Sequence, residues 1–243
     1  MLKRLLPTYL LALLVGLPTS AAPPSIQPER VKQAPAGLKH KGELLQLWHW
    51  SEEGRQLWLQ ASRQRKSHDD GDDVMLDLQL LVQQGQSFRR VWQYQDGVTH
   101  CPEDTNARIY PNGLTVTDLD HNGQAEISMV YRNTCSEGDG PGELKLWMRQ
   151  GNQEWLLEGQ TWYPEELSSG KPLPPVPQAG PCPSANKGQY ITGCYHSDKI
   201  FSSAPAGFLL HAKTLWRLAL LSDAPGGHPR TGNPDSWAEK PAP

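Results

Sequence analysis

Residues 115–131 read TVTDLDHNGQAEISMVY, and how the chain passes through them decides the fold. Asp118, Asp120, Asn122 and Glu126 place four oxygen-bearing side chains around Gly123. A calcium loop of the D-x-D-x-[DN]-G kind draws oxygens from its positions 1, 3 and 5 and a backbone carbonyl at 7. Those positions are Asp118, Asp120, Asn122 and the carbonyl of Gln124, and Glu126 at position 9 adds a carboxylate directly or through water. An EF-hand also requires a bidentate glutamate at position 12, which here is Met129, and helical flanks. The flanks instead read as strands. The expectation is a β-loop-β unit that takes calcium, with a metal-free polar hairpin as the alternative. Asn-Gly between alternating apolar residues is itself a strong hairpin signal, and aspartates cap turns by accepting from nearby backbone N–H groups.

Outward from this loop the same periodicity recurs. ELLQLWHW, RQLWLQASRQRK, DVMLDLQLLVQQ and QSFRRVWQYQ precede it, and ELKLWMRQ and NQEWLLEGQTWY follow. With GLTVTDL and QAEISMVYR they make eight strand candidates, each alternating with period two and bounded by Gly, Ser, Asp or Asn. Gly151-Asn152 is a two-residue hairpin signal. The implied fold is mainly β: antiparallel sheets, as a sandwich or a partial-propeller-like arrangement, with one C-terminal helix packed on a sheet. That helix is expected at about 205–221, where Phe208, Ala212, Leu215, Trp216 and Ala219 share one stripe and Pro205 suits the first turn.

The organisation expected around this core is a signal peptide (1–22), a flexible proline-rich leader (23–40) and a single β-rich domain (41–221). A proline-rich crossing (163–189) lies inside the domain, and a disordered tail (222–243) follows it. The signal peptide rests on Lys3 and Arg4, the apolar run Leu10–Leu17 and the small-residue exit Ser20-Ala21-Ala22. It implies export, periplasmic or secreted. Its removal leaves 21 basic against 26 acidic side chains, a formal charge of −5. That balance argues against nucleic acid as a partner, and no later run is long and apolar enough to span a bilayer.

Cys101, Cys135, Cys182 and Cys194 make an even set in an exported chain, which points to two disulfides. Three pairings are possible. Cys101 with Cys135 and Cys182 with Cys194 is the expected one, because each pair lies in one composition block. Such loops stabilise by roughly 3–4 and roughly 3 kcal/mol respectively in the chain-entropy account.

Other chemistry is thinner. The acidic run HDDGDD, His68–Asp73, reads as a solvated hairpin tip, with cation binding as the sharper alternative. No H-E-x-x-H, no G-x-S-x-G and no phosphate-cradling glycine loop occurs. Asp120 and Glu126 stand as an alternative acid pair for a glycan-active enzyme. The nine tryptophans are expected mostly in the core.

TDLDHNGQAEI resembles the calcium-holding element of FG-GAP/VCBS-type repeats, as in integrin α chains, though it occurs here once. More widely, HCPEDTNARIYPNGLTVTDLDHNGQAEISMVYRNTC, LKLWM and FLLHAKTLW resemble an exported bacterial family catalogued as surface polysaccharide biosynthesis proteins. The likeness covers roughly residues 90–218 with gaps. After the second cysteine that family tends to read D-V-S-P, where this chain has SEGDGPGELKL. The resemblance implies a Cys101–Cys135 bridge pinning the loop between them. The resulting expectation is a non-catalytic envelope module, binding polysaccharide or an envelope protein, with a secreted inhibitor or adhesin as a further alternative. Oligomeric state is not legible.

Overall fold

The computed structural model describes residues 25–137, 140–164, 172–183 and 191–224. All eight expected strands are present, together with a short one that precedes them. β1 (Glu29–Arg30), β2 (Glu43–Glu52), β3 (Arg55–His68), β4 (Gly71–Gln84) and β5 (Ser87–Cys101) form one antiparallel meander in sequence order. β6 (Thr105–Thr117), β7 (Glu126–Cys135), β8 (Glu143–Gln150) and β9 (Gln153–Gln160) form a second. Local hairpins suffice to build each sheet, because within a sheet every strand pairs with its neighbours in sequence. β6 begins well before the GLTVTDL run. A register shift between Ile109 and Leu114, across Pro111, Asn112 and Gly113, breaks its alternation, and this hid its first half from periodicity.

The sheets pack face to face. Leu57, Leu59, Ala61, Val74, Leu76 and Leu78 from the first meet Leu114, Ile127, Met129, Tyr131 and Trp147 from the second in one buried cluster. A residue that faces this core recurs at every second position of β4, as the pleat requires. The Cys101–Cys135 bridge joins the end of β5 to the end of β7 and so ties the two sheets.

The second sheet is covered on its other face as well. The one α-helix among the described residues, α1 (Phe208–Asp223), sets Phe208, Ala212, Leu215, Trp216, Ala219 and Leu220 against Val130, Leu144, Leu146, Met148, Trp155 and Leu157. All five residues of the predicted stripe are buried. Pro205 lies outside the helix, its carbonyl accepting from the Phe208 N–H at 3.3 Å. Ser222 and Asp223, expected in the tail, belong to α1. Asp223 is held by Tyr110 and, at 2.7 Å, by Arg108. These partners offset a negative charge placed at the unfavourable end of the helix dipole.

The crossing that precedes α1 protects the open edge of β9. Tyr195 bridges Gly159, and the His196 N–H donates to the Glu158 carbonyl at 2.7 Å. A Cβ at Gly159 would lie 2.0 Å from the Cys194 carbonyl oxygen, so the close approach depends on glycine. Cys182–Cys194 closes this segment on itself.

One expectation is corrected. In the leader assigned to 23–40, residues 25–40 are seated on the first sheet. β1 pairs with β2, with Glu29 opposite His49 and Arg30 opposite Trp48. Leu38 packs with Leu47, Trp58 and Leu81, and Ile26 enters the main core. Prolines spoil the periodicity without preventing Ile26, Val31 and Leu38 from burying apolar area. The expected signal peptide and the tail beyond residue 224 lie outside the described residues. So do residues 165–171 and 184–189 of the proline-rich crossing.

Candidate metal centre

The β6–β7 connection is an eight-residue loop, Asp118–Ala125. His121 and Gly123 both take left-handed backbone conformations, φ 56° and 80°, and these reversals fold the loop back on itself. Asn122 stabilises it: its Oδ1 accepts from the Gln124 N–H at 2.8 Å, and its Nδ2 donates to Asp120 Oδ2 at 3.0 Å. The Gly123 N–H donates to Asp118 Oδ1 at 3.3 Å. These are the local side-chain-to-backbone bonds that define polar turns. The Ala125 N–H donates to Glu52 at the end of β2, 2.9 Å away, which anchors the loop to the opposite sheet.

Of the five expected ligand residues, the structure brings three together. One carboxylate oxygen each from Asp118, Asp120 and Glu126 lies within 4.8 Å of the others. Asn122 and Gln124 are exposed and engaged in the turn itself. Glu126 is fully buried at the base of the loop. Its Oε2 accepts from the Leu119 N–H at 2.7 Å and Thr117 Oγ1 at 3.1 Å, and its Oε1 accepts from Gln150 Nε2 at 2.7 Å. The same Gln150 nitrogen reaches both oxygens of Asp120 at 3.3 Å. Asp118 Oδ2 is buried and accepts no hydrogen bond.

Burial pushes the Glu126 carboxyl up to about 7. The bonds from Leu119 and Thr117 pull the other way, and the charges of Asp120 and Asp118 add to the rise. An orphaned carboxylate oxygen beside two further carboxylates, one of them driven toward protonation, is a site that lacks positive charge. A hard cation with oxygen ligands fits that donor set. The pair Asp120 and Glu126 is poorly arranged for glycosidic acid–base work, because every Glu126 oxygen is engaged and none is exposed.

Gln150 escaped the sequence reading. Its signal is register: it stands opposite Glu126 in the β7–β8 ladder, just before the Gly151-Asn152 turn. In HDDGDD, His68 and Asp73 approach to 2.8 Å, and His100, which no ligand spacing in the sequence linked to them, joins them from β5. Trp50, Trp147 and Trp216 are core, as expected for most tryptophans.

No protein-family model, curated protein or solved structure matches this chain. The site must therefore be argued from its own residues. No helix among the described residues is long and apolar enough to cross a membrane.

Proposed function

We propose that this chain is an exported, non-catalytic binding or accessory module of the cell envelope, whose β6–β7 loop takes calcium as a structural brace. The observation that carries the reading is the convergence of Asp118, Asp120 and Glu126 around the unpartnered, buried Asp118 Oδ2. A bound calcium would be held by those three carboxylates, with Asn122 and the Gln124 carbonyl beside them in the loop. It would supply charge neutralisation and no reaction step. Gln150 orients Asp120 and Glu126, and Leu119 and Thr117 hold Glu126 in place. Through Ala125 and Glu52 the brace would reach the other sheet. Export is supported by the signal-like start and the two disulfides. The link to surface polysaccharide, or to an envelope protein partner, rests on the family resemblance.

Isothermal titration of the mature protein with calcium tests the metal reading. One site per chain is expected, with affinity reduced at least tenfold in Asp118→Ala and Asp120→Ala. Absence of heat at millimolar calcium would sink it. Retention of extracted envelope polysaccharide on immobilised protein tests the binding role, and purified glycans left uncleaved would keep the module non-catalytic.

A further inference from the structure

We propose that His68, Asp73 and His100 form a second, independent metal site, for a divalent transition cation of the zinc or copper class. The three residues come from three successive strands. His68 ends β3, Asp73 lies at the start of β4, and His100 lies at the end of β5. Their donor atoms fall within 4.8 Å of one another. His68 Nε2 is 2.8 Å from Asp73 Oδ2, and His100 Nδ1 is 3.9 Å from Asp73 Oδ1. A tetrahedral site with metal–ligand bonds of about 2.0–2.1 Å separates its ligand atoms by roughly 3.3 Å. One observed distance is shorter and one longer than that value, and they reach different oxygens of Asp73, so a bound metal would draw the three side chains into a common arrangement.

The backbone already holds the ligands in place. The His100 N–H donates to Asp73 Oδ1 at 2.8 Å, which fixes the carboxylate, and the two imidazoles stack with centroids 5.1 Å apart. His100 adopts φ 52°, a left-handed conformation that turns its ring back toward the hairpin. Gly71 lets that hairpin approach: a Cβ there would sit 2.5 Å from the Cys101 carbonyl oxygen. Cys101, bonded to Cys135, anchors the strand end that carries His100.

Two imidazoles and one carboxylate suit zinc and copper, whereas calcium prefers oxygen alone. The donor set therefore separates this site from the β6–β7 loop. Asp69, Asp70 and Asp72, all exposed beside it, add a negative field that raises the local cation concentration. His100 is 60% exposed, so the metal would be reachable and one corner would remain for solvent.

The test uses untagged mature protein, titrated calorimetrically with zinc chloride and separately with copper(II). One zinc per chain at micromolar affinity is expected, at least tenfold weaker in His68→Ala and in His100→Ala and unchanged in Asp118→Ala. Electron paramagnetic resonance of the copper form should show two nitrogen ligands in the native protein and one in either histidine variant. The histidine variants lie on the surface, and near-ultraviolet circular dichroism checks that they fold. Zinc affinity unaffected by both substitutions would overturn the proposal, as would absence of binding at 0.1 mM zinc, taken as roughly a hundredfold above the expected affinity range. Loss of zinc binding in Asp118→Ala alone would assign the metal to the loop.

Discussion

The β6–β7 loop and the β3–β4 hairpin tip are both acidic turns at strand ends, and they differ in what surrounds their carboxylates. In the loop, Glu126 is buried, Asp118 Oδ2 is orphaned, and every neighbouring ligand is an oxygen. At the tip, Asp73 is partly exposed, paired with His68, and backed by a second imidazole. Burial turns the first cluster into a charge problem that a hard cation solves. The second is hydrogen-bonded to an imidazole and offers nitrogen to a softer ion. Motif alone would have ranked HDDGDD, with its four carboxylates, as the more acidic. Environment separates the two chemically.

The largest effect is expected from the element both regions share. Cys101→Ser with Cys135→Ser removes the covalent link between the sheets and should cost about 3–4 kcal/mol, read by denaturant unfolding under non-reducing conditions. It should also weaken zinc at the tip more than calcium in the loop, because His100 adjoins Cys101. Equal losses at both sites would mean that the bridge does not distinguish the tip from the loop.

Next comes pH. The Glu126 carboxyl titrates at about 7 in the folded protein against an ordinary value of 4.5. Between these values the folded state holds a proton that the unfolded chain has released. Ion-free protein should therefore lose stability as pH rises from 4.5 through 7, by up to about 3 kcal/mol, and keep it at lower pH as far as this group is concerned. Glu126→Gln should flatten the profile, and calcium should raise the melting temperature more at pH 8 than at pH 5. A flat profile in the native protein would remove the buried-charge account.

A smaller effect, about 1–3 kcal/mol, is expected for Gln150→Ala, which strips Glu126 Oε1 and Asp120 of a donor. Thermal melts with and without calcium separate its two roles, since a bound ion should recover part of the loss. His68→Ala should change stability by less than about 1 kcal/mol, as surface pairs usually do. A larger change would mean that the tip is a structural clasp without needing metal.

Much of this was legible in the chain. Period-two alternation located eight strands and excluded helical flanks for TVTDLDHNGQAEISMVY, and a 3.6-residue stripe picked the buried face of α1. Asp118, Asp120 and Glu126 were readable because all three lie within nine residues, so local geometry alone groups them. Residues 25–40 read as a leader because proline masks pattern, while burial of Ile26 and Leu38 needs only a few apolar groups and a face to cover. The first half of β6 was hidden by its irregularity at Pro111–Gly113.

What the sequence by itself determined is therefore short-range: strand and helix periodicity, the helix stripe, the turn at Gly123 and the carboxylates around it. Each is a repeat or a motif that neighbouring residues specify together. Only the tertiary structure decided that Gln150 stands over Glu126, that Glu52 ties the loop to the other sheet, and that His100 meets His68 and Asp73. Those partners are separated by tens of residues and are joined by strand register and sheet packing. Burial is likewise a property of the packed fold, and burial converted Glu126 from an ordinary surface acid into a carboxyl that titrates at about 7.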